Sequence, residues 1–188
     1  MALPAPASRE LLHKRIVECF GYRRDDGLFD IEGHLLDVKA YDIHDLDRSP
    51  IRAGEPLHEM WLRLTLDLDM NVVEVEAHTV HGPYAICGDI VPNFQCLKGL
   101  TIQGGWTQKT RELLGGTQGC THLVELLGPI ATTAFQTVYA ARQKRDRDAG
   151  IKKPPALLDS CHAWASDSPV IARRYPEYYT GPKAGSQD

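Results

Sequence analysis

A chain of 188 residues with 43% hydrophobic and 24% charged residues is long enough for one well-filled core and has an ordinary globular composition. That balance excludes a disordered chain, a collagen-like repeat and a coiled coil. The net charge of −4 excludes wholesale binding to nucleic acid or to an anionic membrane.

The first residues lack a basic start followed by a long apolar core, and no apolar run reaches the length of a membrane span. The expectation is a cytoplasmic chain with reduced thiols. Five cysteines, an odd number, cannot form a complete disulfide framework.

Pro4 and Pro6 mark a loose arm. Ser8 is placed to cap a helix running to about Cys19, with Leu11, Leu12, Ile16 and Val17 on one stripe and Gly21 as its stop. Asp26-Gly27 signals a turn. Beyond it Phe29, Ile31 and Leu35 share one parity and Asp30, Glu32 and His34 the other, the pattern of a half-buried strand pair with a kink at Gly33. Residues 46–56 read as loop. In the next stretch Met60, Leu62, Leu64, Leu66 and Leu68 alternate with Trp61, Arg63, Thr65 and Asp67. Asp69-Met70-Asn71 then turns the chain into a second alternating strand over 71–79, with Val73, Val75 and Ala77 inward. These two form a central hairpin.

The period then changes. A short helix through Phe94 and Leu97 is closed by Gly99. A second is capped by Thr107 and closed by Gly115-Gly116, and a third opens near Thr121 and carries Pro129 inside it. Residues 142–156 form a charged connector, the segments around Cys161 and Ile171 a C-terminal hairpin, and residues 182–188 a flexible tail. The expectation is a single domain of α+β class: an antiparallel sheet built from the central hairpin plus N- and C-terminal hairpins, covered by helices.

Four places carry chemistry-bearing side chains. His58 shares the parity of Met60 and Leu62 and so points to the buried side, where an imidazole needs partners or a metal. Cys120 and His122 straddle a helix N-terminus, whose N–H groups stabilise a thiolate, and Glu125 is three residues beyond His122. Cys161 and His162 point to opposite faces if they sit in a strand. His78, His81, Cys87 and Cys96 cluster where the hairpin gives way to helices. No paired C-x-x-C unit, P-loop, dinucleotide fingerprint or nucleophile elbow is present.

The strings DGLFDIEGHLLDVKAYD, AGEPLHEMWLRLTLD, GCTHLVELLGPIATTAFQT and LDSCHAW resemble the bacterial family called domain of unknown function 2889. That resemblance implies no reaction. The order of hairpin, Gly turn, helical stretch and Cys at the start of a long helix is similar to iron–sulfur scaffold proteins of the NifU/IscU type, which implies a SufE/NifU-like fold. In that family three Cys and one Asp meet at one end of the domain. The resemblance places Cys120 at the third Cys, His58 at the Asp, and His81 or Cys87 at the second Cys. The first Cys has no counterpart. A mixed His/Cys site of this kind suits Zn or Fe better than Mg or Ca.

Three functions compete. The first is a metal site on His58, Cys87, Cys120 and His122, with His81, Cys161 and His162 as weaker ligands, in a metalloenzyme or a sulfur- or metal-handling accessory protein. The second is a cofactor-free thiol enzyme with Cys120 as nucleophile, His58, His122 or His162 as base, and Glu125 beside them. The third is a non-enzymatic module offering Trp61, Trp106, Trp164 and Tyr178-Tyr179 to a partner or an apolar small molecule. The expected partners are a small-molecule substrate or an accessory protein, and a second copy of the chain.

Overall fold

The computed structural model describes residues 3–182. Residues 183–188, the bulk of the expected tail, lie outside the described residues. These divide into two compact units, the boundary falling between Gln143 and Lys144.

The first unit is built on a four-stranded antiparallel sheet in the order β1 (His13–Arg23), β2 (Phe29–Lys39), β3 (Pro56–Leu66), β4 (Val72–His81). Its α+β class is the expected one. The central hairpin is β3–β4, and its turn is held by Asp67. That carboxylate accepts the backbone N–H groups of Asp69 and Asn71 and the Asn71 side-chain amide. A register shift at Thr65/Leu66 turns Val72 and Val75 inward, with Val73 exposed, whereas simple alternation puts Val73 inside.

The expected N-terminal helix is instead a strand. Residues 13–23 pair with β2 along their whole length, from His13 opposite Lys39 to Arg23 opposite Phe29. β1 is an edge strand whose two faces are both largely exposed, so its side chains lack the apolar–polar contrast that marks a half-buried strand. Apolar residues at 16, 17, 19 and 20 imitate a helical stripe.

Residues 85–88 and 91–97 form short 3-10 turns, the second burying Phe94 and Leu97. Helix α1 spans Trp106–Leu114, and its N-cap is Gly105 at φ 86°, not Thr107. Helix α2 spans Thr121–Asp148 with Pro129 inside it. It therefore absorbs the first half of the expected connector. Leu123, Leu126, Leu127, Ile130, Ala134 and Val138 of α2 join Phe29, Ile31, Leu35, Met60, Leu62 and Leu64 of the sheet in one core. Gly33 permits the close approach: a Cβ there would lie 2.8 Å from Cδ1 of Ile130. The residue expected to kink β2 is the groove in which α2 rests.

The second unit contains no C-terminal hairpin among its described residues. His162–Trp164 is a 3-10 turn, Pro169–Arg174 is helix α3, and Pro176–Tyr178 is a further 3-10 turn. Ser168-Pro169 decides against a strand. The Ser168 hydroxyl accepts the Ile171 N–H as N-cap, and Pro169 occupies the first helical position, where its missing N–H costs nothing.

Candidate metal centre

β2 buries Phe29, Ile31, Gly33, Leu35 and Asp37 in strict alternation. Asp37 is thus a carboxylate on the core side of the sheet, 1% exposed. Such a group needs charged partners. Arg15 lies opposite it on β1, with Nε donating to Oδ1 and Nη2 to Oδ2, each at 2.7 Å. His13 Nε2 is 3.3 Å from Oδ1. The other flank of Arg15 binds the Glu125 carboxylate of α2.

Two imidazoles face the remaining side of Oδ2. His58, from the start of β3, places Nδ1 at 3.2 Å, and His122, from the first turn of α2, places Nε2 at 3.5 Å. The two rings stack with centroids 3.8 Å apart and planes 29° apart. Asp37, His58 and His122 each offer one ligand atom, all within 4.8 Å of one another, the one such His/Cys/Asp/Glu group of three or more among the described residues.

Burial pushes the Asp37 carboxyl up, but the Arg15 hydrogen bonds and charge, with His122 and His13, outweigh it and hold the group below the ordinary carboxylate value. Burial, reinforced by His122, lowers His58 to about 4 against the pull of Asp37. Burial likewise lowers His122, against Asp37. At neutral pH the cluster is one carboxylate and two uncharged imidazoles, the ionisation states that metal ligands require.

Two of the three ligand spacings agree with that chemistry, and the imidazole–imidazole pair is the widest, within 4.8 Å. A tetrahedral ion at about 2.0–2.2 Å from each ligand sets the ligand atoms roughly 3.3–3.5 Å apart. The carboxylate–imidazole distances here are 3.2 and 3.5 Å.

Cys120 is the N-cap of α2, its carbonyl accepting the Val124 N–H. Its Sγ lies 3.9 Å from His122 Nδ1, the ring nitrogen on the far side from Asp37, and 3.6 Å from Met60 Sδ. Glu125 pairs with Arg15. His81 Nε2 lies 3.6 Å from Glu59 Oε2, and Cys87 sits in the 85–88 turn beside Gly82. Cys96 is exposed, and His78 faces Trp61 across the β3–β4 pair. Cys161 and His162 belong to the second unit, and both are exposed.

The structure therefore brings His58, Cys120 and His122 together. It adds Asp37, Arg15 and His13, which the sequence reading did not single out. The signal for Asp37 was present: it continues the buried parity of Ile31 and Leu35. Arg15 and His13 were hidden by reading β1 as a helix.

Residues 13–136, about two thirds of the chain, match the model of the family described as Protein of unknown function (DUF2889). The chain belongs to this family. The match spans the sheet, α1 and the first half of α2, and so contains the whole Asp37–His58–His122 cluster, while Cys161 and His162 lie outside it. No curated protein and no solved structure matches the chain. The NifU/IscU likeness has no counterpart in these comparisons. No described helix is long and apolar enough to cross a membrane.

Proposed function

We propose that the DUF2889 domain of this chain binds one divalent transition metal through Asp37 Oδ2, His58 Nδ1 and His122 Nε2 and acts as a metalloenzyme. The observation that carries this is the buried carboxylate with two uncharged imidazoles turned toward the same oxygen. Two imidazoles and one carboxylate suit Zn or Fe(II), and three protein ligands leave coordination positions for water or substrate. When bound, such an ion supplies Lewis acidity. The chain's own residues do the rest. Arg15 keeps Asp37 ionised and fixes its plane. Cys120 meets the second nitrogen of His122 and so sets the ring's orientation and tautomer, the role outer partners play at metal sites.

Protein purified without chelator is expected to carry about one Zn or Fe per chain by elemental analysis. His58→Ala and His122→Ala are each expected to strip it, while Cys120→Ser keeps it. Metal-free protein that takes up neither ion on reconstitution sinks the reading.

One observation favours a second reading. Cys120 Sγ, His122 and Asp37 also line up as thiol, imidazole and carboxylate, at 3.9 and 3.5 Å. In that order His122 serves as base to a Cys120 nucleophile and Asp37 orients the ring. Rapid alkylation of Cys120 by iodoacetamide near neutral pH, unchanged by chelator and slowed by His122→Ala, would favour it over the metal.

A further inference from the structure

A cavity of about 470 Å³ opens between α1 and the first turns of α2, within the range of small-molecule pockets. Its charged walls are Arg111 and Glu125. These two are not equivalent. Glu125 is engaged by Arg15, whereas the Arg111 side chain has no ion-pair or hydrogen-bond partner among the described residues. The net unspent charge in the groove is one guanidinium. Leu114, Val124 and Leu127 supply apolar wall, and Gly128 leaves room: a Cβ there would meet nothing within 4 Å.

One residue links the groove to the Asp37 cluster: Glu125 lines the groove and binds Arg15, which pairs with Asp37. Successive helical residues turn by about 100°. Thr121, Glu125 and Gly128 therefore share the groove face of α2, and His122 lies on the adjoining face. Glu125 stands at the border, lining the groove while binding the arginine that brackets Asp37.

We infer that this groove is the substrate site of the metal centre, and that it takes a small carboxylic acid with an apolar body, its carboxylate paired with Arg111. One guanidinium matches a monoanion bidentately. A dianion such as phosphate would keep one charge unmatched by that single guanidinium. The apolar wall takes the body of the acid. The inference rests on the metal-site reading only in naming the acid a substrate, and its test separates the two.

The chain, after incubation with zinc and removal of the excess, is titrated by amide NMR with benzoate, with uncharged benzamide, and with inorganic phosphate. Benzoate is expected to shift amides of residues 107–128 saturably, with the other two at least tenfold weaker. Arg111→Gln is expected to weaken benzoate at least tenfold. Gly128→Leu, whose Cβ meets nothing within 4 Å and whose longer side chain takes groove space, is expected to abolish binding while its spectrum stays native. Zinc content, measured on the same samples, is expected to be unchanged in both variants, and its absence in the parent would overturn the metal reading alone. Benzoate shifts that ignore both substitutions, map outside 107–128 or are matched by phosphate would overturn the groove assignment.

Discussion

Asp37 is the residue on which both readings of the site depend. Its two oxygens serve Arg15, His13, His58 and His122, so its charge is used four times over. Asp37→Asn preserves shape and removes that charge. The variant should lose about 2 kcal/mol of stability, the scale of buried hydrogen bonds to a charged group, since the partly exposed Arg15 retains Glu125. It should also lose at least tenfold in zinc affinity. Urea unfolding and competitive zinc titration read the two effects. An Asn variant as stable as the parent would mean that the carboxylate's burial is compensated without its charge. At this scale strand parity was sufficient for His58, which lies on the inward side as its spacing from Met60 and Leu62 requires. The same rule extended to Asp37 exposes a charge on the buried face. It fails for Arg15, since an exposed edge strand has no polar face against which to see a misplaced cation.

Elements differ in legibility for the same reason. β3 and β4 were visible because each has one wet and one dry face. β1 was not, because the sheet ends there. The second unit is ambiguous in sequence because short apolar runs separated by turn residues suit a hairpin as well as a capped helical turn, and the Ser168-Pro169 pair tips the balance. The packing of α2 across the sheet is set by a residue with no side chain. An alanine at Gly33 places its Cβ 2.8 Å from Cδ1 of the fully buried Ile130, nearer than side-chain atoms ordinarily approach. Gly33→Ala should therefore cost about 1–3 kcal/mol by overpacking. Because α2 carries His122, part of the cost should appear as weaker zinc binding. Ile130→Ala removes the clashing atoms, so the double variant should be more stable than the sum of the single effects predicts. Strict additivity in a double-mutant cycle would show that α2 is seated by other contacts.

At the scale of the whole molecule, the cluster makes the stability of the metal-free protein depend on pH. His58 titrates near 6.5 in an unfolded chain and at about 4 in the fold, and His122 is also depressed. Between those values the unfolded state binds more protons than the folded state, so acidification favours unfolding. The stability difference is fully present above pH 6.5 and is lost as the pH falls toward 4. Asp37 acts in the same direction one step lower. Its native value lies below the ordinary carboxylate value of 3.8, so its contribution is lost only as the pH drops through that native value. Chelator-treated protein should thus lose on the order of 2–3 kcal/mol between pH 7.5 and 4.5 from His58, with His122 adding to it. His58→Gln has no proton to gain and should flatten that slope, whatever it does to stability at pH 7.5. Urea midpoints across this range, measured for both proteins with chelator, decide the matter. A parent whose midpoint holds steady down to pH 4.5 would mean that burial does not keep the two imidazoles uncharged, and the neutral ligand pair on which the metal reading depends would be gone.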